Sequence, residues 1–484
     1  MKKNYLSWIA DSSFFLSLIL FFFLGAYLNI KHFNLPFPED LSIITIISLF
    51  LLCIIIYLKR EIILNYIQNL NKNKFFNEHG LKILLITFLA IFILLKTNVL
   101  MNDSLGIIRL RIEHMFIYYP YVTNSLFYAL NFAFLSIFGI SAQSSLAIAN
   151  TALGVAFIYF IFKLIKIISK KEFLLFFLIV ISVPIFKVFF GHLEIYALPL
   201  VAFIIYIIYA HSYLKNKVPF KVTVLSFLLL FLTHTYAVLI IPTLLILPFF
   251  KSKWENFQFK LVFKKVIIFF IIPLILISGL FMLFNSHIIP ENKIVYSDKF
   301  YQHGEFNITK DYFLKIDSNI CPNCICDGFC VLTNNRSVYG KNILVPLSNE
   351  GIENGYAYDE MFYSIHYLGF LNSLFLLGPL IVLFFVCLIY FFKKKLYLKL
   401  KSDSILSLFS VLSVFYLLFL FLINYDTLPG DWDVLLLFSY SIYFWTAYII
   451  INYWKEKKSL LVTYICLSLI LTVIWIIKNH IGII

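Results

Sequence analysis

The sequence predicts an all-α polytopic membrane protein, and three observations lead to this prediction. Hydrophobic residues make up 62% of the 484 residues and charged residues only 13%, unlike the balance of a water-soluble domain. Mean hydropathy is +0.92. Apolar runs such as 12–30, 144–162 and 459–477 are long enough for a helix to cross a bilayer of about 30 Å. These runs lack the alternation of a membrane β-barrel, so helices are expected.

The apolar runs predict about thirteen transmembrane helices, most of them joined by short loops. The predicted spans are 12–30, 42–58, 82–100, 144–166, 173–190, 194–213, 222–236, 237–250, 266–284, 369–392, 404–424, 433–453 and 459–477. The stretch 121–140 contains Asn124 and Asn131, so we expect a helix there that lies at the membrane interface.

Lysine clusters predict the orientation, because loops rich in lysine stay in the cytoplasm. With a cytoplasmic N-terminus, every dense cluster falls on the cytoplasmic side. The clusters lie at 59–82, 166–171, 215–221, 251–265, 393–401 and 455–458. This assignment requires the short stretch 222–250 to leave and re-enter as two helices that meet at 233–236. The net charge of +14 is then a topological signal and a contact with membrane lipids, not a nucleic-acid surface.

The predicted spans divide the chain into four parts. Residues 1–81 form two N-terminal transmembrane helices with a cytoplasmic loop, and 82–284 form a transmembrane core whose first outer loop is 101–143. Residues 285–368 form one larger loop outside the cytoplasm, and 369–484 form the C-terminal transmembrane helices. We expect a multi-pass protein of a prokaryotic inner or plasma membrane.

Unusual polar residues gather on the non-cytoplasmic side of this topology. The candidate site residues are Asp103, Arg109, Arg111, Glu113, His192, Glu194, Tyr196, His234, Asp431 and Asp433. Ionisable residues near the middle of the membrane are almost absent, and Lys96 and Lys187 lie toward the outer ends of their spans. An ion-coupled transporter is expected to carry charges near mid-membrane, so this pattern favours an outward-facing reaction site.

The first outer loop contains candidates for acid–base chemistry and for phosphate binding. Asp103 directly follows a span and is a candidate general base, although an aspartate there can equally cap a helix. Arg109 and Arg111 are candidate phosphate ligands, because the guanidinium fork matches phosphate oxygens. The alternative is an interfacial helix with both charges in water. Glu113 is the second candidate for the base.

Two later segments carry the remaining polar candidates. His192, Glu194 and Tyr196 crowd a short turn between apolar helices, either as a site or as a solvated turn in which Glu194 favours a helix N-terminus. Asp431 and Asp433 are similar to a metal-binding Asp-x-Asp pair, and ordinary helix-start carboxylates are the alternative. A divalent cation is therefore the one cofactor considered.

The cysteines fall into two groups. Cys53, Cys387 and Cys466 lie singly in spans and are predicted to pack there. The dense group in the outer loop consists of Cys321, Cys324, Cys326 and Cys330. Outside the cytoplasm, two disulfides are the favoured interpretation, and a metal knot is the alternative. Neither interpretation is catalytic.

Residues 82–250 resemble the GT-C glycosyltransferases, in the branch of protein O-mannosyltransferases and aminoarabinose transferases. The matching pieces are Tyr119-Pro120, Leu126-Phe127-Tyr128-Ala129-Leu130, Phe138-Gly139, Ala147, Leu153-Gly154, Val183-Pro184 and Thr233-His234. In this family an acidic outer loop follows a span, as Asp103 follows 82–100 here. The family's paired acidic residues appear as Asn102-Asp103, so the base remains open between Asp103 and Glu113.

The resemblance implies transfer of a sugar from a polyprenyl-phosphate-linked donor to a lipid, glycan or protein acceptor at the outer face. A carboxylate, first of all Asp103, would activate the acceptor, and arginine and lysine would stabilise the departing phosphate. His192, Glu194 and His234 would line the cavity. The competing classes are a polysaccharide or lipid translocator without transferase activity, and another lipid-linked enzyme of the outer face, such as a ligase or polymerase.

Overall fold

The computed structural model describes residues 2–24, 43–95, 131, 137–190, 196–251, 259–279, 370, 374, 376–422 and 436–481. Helices dominate these residues, and no strand occurs among them, which confirms the all-α prediction. The helices are α1 (Lys2–Leu18), α2 (Ile43–Leu58), α3 (Arg60–Lys72), α4 (Lys74–Leu94), α5 (Ala142–Ile168), α6 (Phe173–Ser182), α7 (Ala197–Leu214), α8 (Phe220–Thr233), α9 (Ile241–Lys251), α10 (Phe259–Val266), α11 (Leu380–Lys393), α12 (Ser404–Leu422), α13 (Tyr440–Asn452) and α14 (Lys458–Ile481).

Short segments of other helical types interrupt or extend these helices. Two π-helical turns, Ile19–Leu24 and Ile267–Ile271, extend α1 and α10. The 3-10 segments are Lys170–Glu172, Pro184–Phe189, Thr235–Ile240, Leu396–Lys399 and Lys455–Lys457. Two of these segments, Pro184–Phe189 and Thr235–Ile240, follow α6 and α8 directly and mark the breaks that matter for the site.

Six helices are long and apolar enough to cross a membrane, which supports a membrane protein. The stretches are Tyr5–Phe22, Gln143–Ile168, Ala197–Leu214, Lys260–Gly279, Ser404–Phe421 and Lys455–Ile477. Shorter apolar helices lie among them, and the total of about thirteen spans stays a prediction. The stretch Lys455–Ile477 lies at the centre of the helix bundle, since 67% of it is buried. The stretch Lys260–Gly279 lies at the edge of the bundle, since only 11% of it is buried.

The chain between α7 and α10 folds back on itself, as the lysine pattern requires. The Tyr206 ring on α7 lies 5.2 Å from the Phe227 ring on α8, and its hydroxyl lies 2.7 Å from Thr243 Oγ1 on α9. In one continuous helix, Phe227 and Thr243 would lie about 24 Å apart. Since both contact the same tyrosine, the chain turns back between α8 and α9. That the two helices leave and re-enter the membrane stays a prediction.

Charged contacts join several lysine clusters at one end of the bundle, here called the lysine-rich end. Lys457 Nζ lies 2.7 Å from Asp11 Oδ2 of α1, and an Arg60 guanidinium nitrogen lies 3.9 Å from Asp11 Oδ1. Lys458 forms an ion pair with Glu172. These pairs bring the N-terminal helix and the loops before α3, α6 and α14 together. The assignment of these loops to the cytoplasmic side stays a prediction.

Asp403 closes the same end between α12 and α13. Its Oδ1 accepts hydrogen bonds from the backbone N–H groups of Ile405 and Leu406, both at 3.1 Å, and so caps α12. Its Oδ2 accepts the hydroxyls of Tyr448 at 2.8 Å and Tyr453 at 2.6 Å.

The N-terminal helix packs within the bundle. Ser13 Oγ lies 2.8 Å from the Tyr464 hydroxyl of α14, and Ser17 Oγ donates to the same hydroxyl at 3.1 Å. Ser13, Ser17 and Tyr464 are all buried. The part of the chain assigned to 1–81 is therefore tied through α1 to the C-terminal helices.

Candidate functional site

Most of the predicted site residues lie outside the described residues. They are Asp103, Arg109, Arg111, Glu113, His192, Glu194, Asp431, Asp433 and the cysteines Cys321, Cys324, Cys326 and Cys330. Their roles, including the disulfides and the divalent cation, stay predictions. Tyr196 and His234 are described, and the fold brings these two together.

Tyr196 and His234 form the centre of an aromatic cluster at the tip of the re-entering pair. Tyr196 directly precedes α7, His234 directly follows α8, and their ring centroids lie 5.3 Å apart. The His234 ring also lies 4.8 Å from the Tyr236 ring, which lies 5.9 Å from Phe419 of α12. Three separate parts of the chain thus meet at this cluster, here called the histidine cluster.

The backbone at His234 explains why the helix ends there. Its φ of −163° is extended, and its Nδ1 accepts a hydrogen bond from the backbone N–H of Tyr236 at 3.2 Å. Its carbonyl accepts the N–H of Ala237 at 3.1 Å, which begins the 3-10 turn. A neutral imidazole that accepts at Nδ1 carries its proton on Nε2. His234 therefore supplies a buried N–H donor at the tip of the hairpin.

The histidine cluster lies opposite the lysine-rich end. Helix α7 runs from Ala197 to Leu214, and Lys215 and Lys217 follow it directly. At 1.5 Å per residue this helix is about 27 Å long. Tyr196 is therefore separated from those lysines by roughly the thickness of a bilayer.

Lys187 is a buried cation that the sequence analysis did not assign to the site. Among the described residues it is the one buried cation at the end opposite the lysine-rich end. Lys187 lies in the 3-10 segment Pro184–Phe189, is 3% exposed, and its Nζ lies 4.4 Å from the centroid of the Trp475 ring on α14. Trp475 is about 26 Å along α14 from Lys458, and so away from the lysine-rich end. The sequence feature that could have indicated this position is the single lysine inside the apolar run 173–190.

The segment that carries Lys187 begins at a helix break. Pro184 has no N–H to continue α6, and the carbonyl of Ser182, the last residue of α6, accepts hydrogen bonds from α14. Ser468 Oγ donates to the Ser182 oxygen at 2.8 Å, and Thr472 Oγ1 donates to it at 2.7 Å. The Ser182 carbonyl at the break is therefore satisfied by two side-chain hydroxyls.

A tight turn before α11 packs on the same break. Gly378 has a φ of +75°, a conformation that side chains rarely adopt. A Cβ built there would lie 3.3 Å from Ser468 Oγ and 3.7 Å from Pro184 Cγ. The tyrosines of α13 add two more ties, since Tyr440 donates to the Val180 carbonyl at 3.3 Å and Tyr443 donates to the Leu377 carbonyl. Helices α13 and α14 and the turn before α11 thus pack around the break.

Within the described part of the chain, no group of His, Cys, Asp and Glu side chains is arranged to hold a metal ion. Cys53, Cys387 and Cys466 are free thiols, as their isolated positions in the spans predict.

No protein-family model, curated protein or solved structure matches the chain. The chemistry of the opposite end and the resemblance of residues 82–250 are thus the grounds for a functional proposal.

Proposed function

We propose that the protein is a membrane glycosyltransferase that moves a sugar from a polyprenyl-phosphate-linked donor to an acceptor at the end opposite the lysines. The observation that supports it is the concentration of buried polar groups at helix breaks of that end. Tyr196 and His234 meet there across the tip of a hairpin, and Lys187 lies in the broken end of the neighbouring transmembrane segment. Polar groups retained inside a membrane bundle are costly and commonly functional.

The proposed reaction needs a base, a cation and a partly dry site. The bond between the anomeric carbon and the phosphate oxygen of the donor breaks, and the phosphate leaves with both bonding electrons. The acceptor oxygen bonds to the anomeric carbon, and its proton passes to a carboxylate, assigned to Asp103 or Glu113. Cations near the phosphate stabilise the charge that develops on the leaving group.

The histidine cluster suits recognition of a sugar. Aromatic faces such as Tyr196 and Tyr236 pack on the apolar face of a pyranose ring, while a buried donor such as His234 Nε2–H can bind a hydroxyl. Both tyrosines are partly exposed, and His234 is buried beside them.

Transfer from a polyprenyl-phosphate sugar, measured in membranes that contain the protein, tests the proposal. We expect activity in the wild type and a loss of about a hundredfold or more in Asp103→Asn or Glu113→Gln, whichever residue is the base. Glu194→Gln and His234→Ala are expected to weaken donor or acceptor binding. Glu61→Gln removes an exposed acid at the lysine-rich end and serves as the control.

Two outcomes contradict the proposal. Equal activity in the wild type and all four site variants would remove these residues from the reaction. Absence of transfer from every lipid-linked donor, together with movement of such a lipid across the membrane, would favour the translocator.

A further inference from the structure

The histidine cluster presents two tyrosine rings beside one imidazole. The ring centroid of His234 lies 5.3 Å from that of Tyr196 and 4.8 Å from that of Tyr236. The planes of the two tyrosine rings are tilted against the imidazole by similar angles, 35° and 37°. Both tyrosines are partly exposed, whereas His234 is only 6% exposed. The cluster therefore offers two aromatic faces to a ligand, joined by a buried imidazole.

The fold fixes the positions of both rings. Tyr196 directly precedes α7, and the hydroxyl of Tyr206 on this helix lies 2.7 Å from Thr243 Oγ1 on α9. Tyr236 is held through its backbone N–H, which donates to His234 Nδ1 at 3.2 Å. Rings whose positions are set by the fold lose little freedom when a ligand packs on them, which favours affinity.

The described members of the cluster fit an uncharged ligand that has apolar faces and hydroxyls. They are Tyr196, His234, Tyr236 and Phe419, and none of these side chains is a carboxylate or an ammonium. A pyranose packs its C–H face on an aromatic ring and leaves its hydroxyls at the edge. The N–H at His234 Nε2 can donate to one of these oxygens. A charged ligand would leave its charge without a partner among these side chains.

The spacing of the rings favours two sugar units over one. Successive steps of 5.3 and 4.8 Å lead from Tyr196 through His234 to Tyr236. Each step is comparable to the length of one pyranose unit, so a neighbouring unit reaches the second tyrosine. The donor of the proposed function carries the one sugar that is moved, and the other unit then belongs to the acceptor.

We infer that the histidine cluster binds two adjacent sugar units and that the acceptor is a glycan. Tyr196 and Tyr236 each take one unit, and His234 donates a hydrogen bond to an oxygen of these units. This assignment chooses one among the lipid, glycan and protein acceptors that the sequence leaves open. The role of the glycan as acceptor rests on the proposed function, whereas the binding of two linked sugars can be measured by itself.

Binding of oligosaccharides to the purified chain tests the inference. The probes are α- and β-linked gluco-, galacto- and manno-oligosaccharides of one, two and three units. In at least one series we expect the disaccharide to bind about fivefold or more tightly than the monosaccharide, because a second ring is then stacked. The third unit should add little, since two rings of the described cluster are partly exposed.

Substitutions of the two tyrosines separate the stacking of sugars from other roles. Tyr196→Ala and Tyr236→Ala should each bring the ratio of disaccharide to monosaccharide affinity close to one. The Tyr→Phe variants at both positions keep the rings and should keep most of this ratio. Tyr209→Ala is the matched control, because Tyr209 is 38% exposed on α7 and lies about 20 Å along the helix from Tyr196. We expect its ratio to equal that of the wild type.

The imidazole has its own readout. His234→Leu removes both the donor at Nε2 and the acceptor at Nδ1 that holds the backbone of Tyr236. The ratio of disaccharide to monosaccharide affinity should therefore fall close to one. His234→Gln keeps a side-chain N–H donor and should keep part of the ratio.

The outcomes separate this inference from the proposed function. Equal affinities for one and two units in every series overturn the inference, and so does an unchanged ratio in folded Tyr196→Ala and Tyr236→Ala. If the alanine variants do not fold, an unchanged ratio in folded His234→Leu overturns it. Sugar transfer to a peptide or a lipid, with no gain from a second sugar unit, overturns the inference and keeps the glycosyltransferase. A gain that depends on both tyrosines, without transfer from any lipid-linked donor, supports two-unit binding and contradicts the glycosyltransferase.

Discussion

The two ends of the bundle treat polar groups in different ways. At the lysine-rich end, charged side chains form ion pairs, Lys457 with Asp11 and Lys458 with Glu172. At the opposite end, helices break, and buried polar groups meet carbonyls and aromatic rings, as at Lys187 and His234. The ion pairs of the first arrangement hold helices and loops together and so stabilise the fold. The second places buried polar groups at helix breaks inside the bundle, which is typical of functional sites.

The largest effect on stability is expected at the lysine-rich end. Asp11→Ala leaves the Lys457 ammonium, which is buried, without the carboxylate that now lies 2.7 Å away. Breaking such a pair costs about 3 kcal/mol when one charge stays buried, although the partial exposure of Asp11 lowers this figure. Thermal or denaturant unfolding in detergent measures it. Glu61→Ala, at an exposed acid of the same end, should cost less than about 0.5 kcal/mol.

A closure role for Asp11 also predicts what should not change. The rate of sugar transfer should be that of the wild type in Asp11→Ala, as long as the protein is folded. A loss of transfer in folded Asp11→Ala would contradict the assignment of the reaction to the opposite end.

Packing behind the opposite end gives the next largest effect. A Cβ at Gly154 of α5 would lie 2.7 Å from Phe92 Cε2 and 2.9 Å from the Cβ of Phe189, the last residue of the Lys187 segment. Gly154→Ala should therefore destabilise the fold by about 2 kcal/mol through overpacking. Gly279→Ala is the matched control, because nothing lies within 4 Å of its built Cβ. Equal melting temperatures for the two variants would show that α5 does not pack as described.

The smallest effect on stability is expected for the hydroxyls that hold the break. Each hydrogen bond to the Ser182 carbonyl contributes about 1 kcal/mol net, so Ser468→Ala or Thr472→Val alone should leave the fold nearly intact. The comparison predicts that these variants lose more in ligand binding than in stability. A melting temperature that falls as far as that of Asp11→Ala would instead make the break a structural element.

Local patterns in the sequence predict most of the fold. Apolar runs predict the helices because a span must satisfy its own backbone, and the lysine clusters predict the hairpin of α8 and α9 because a single helix would reverse the later loops. The contact of Tyr206 with both helices shows that the chain turns back between them, and the crossing of the membrane stays a prediction. The meeting of Tyr196 with His234 follows from it, since the end of α8 comes beside the start of α7.

Long-range packing decides what the sequence could not predict. Lys187 reads as one lysine in an apolar run, and only the packing of α14 against the break shows that it is buried beside Trp475. The sequence likewise predicts residues 1–81 as a separate N-terminal part. The hydrogen bonds of Ser13 and Ser17 with Tyr464 show that α1 packs against the C-terminal helix. Asp103 and the other outer-loop candidates keep their roles as predictions.

Photo-crosslinking with a polyprenyl phosphate that carries a photoreactive group beside the phosphate tests the division between the two ends most directly. Peptide mapping after illumination of the full-length protein locates the headgroup. The functional assignment predicts adducts within 182–197, 233–240 and 468–478. Adducts concentrated at 393–403 or 455–460 would contradict it and would make the lysine-rich end the lipid-phosphate site.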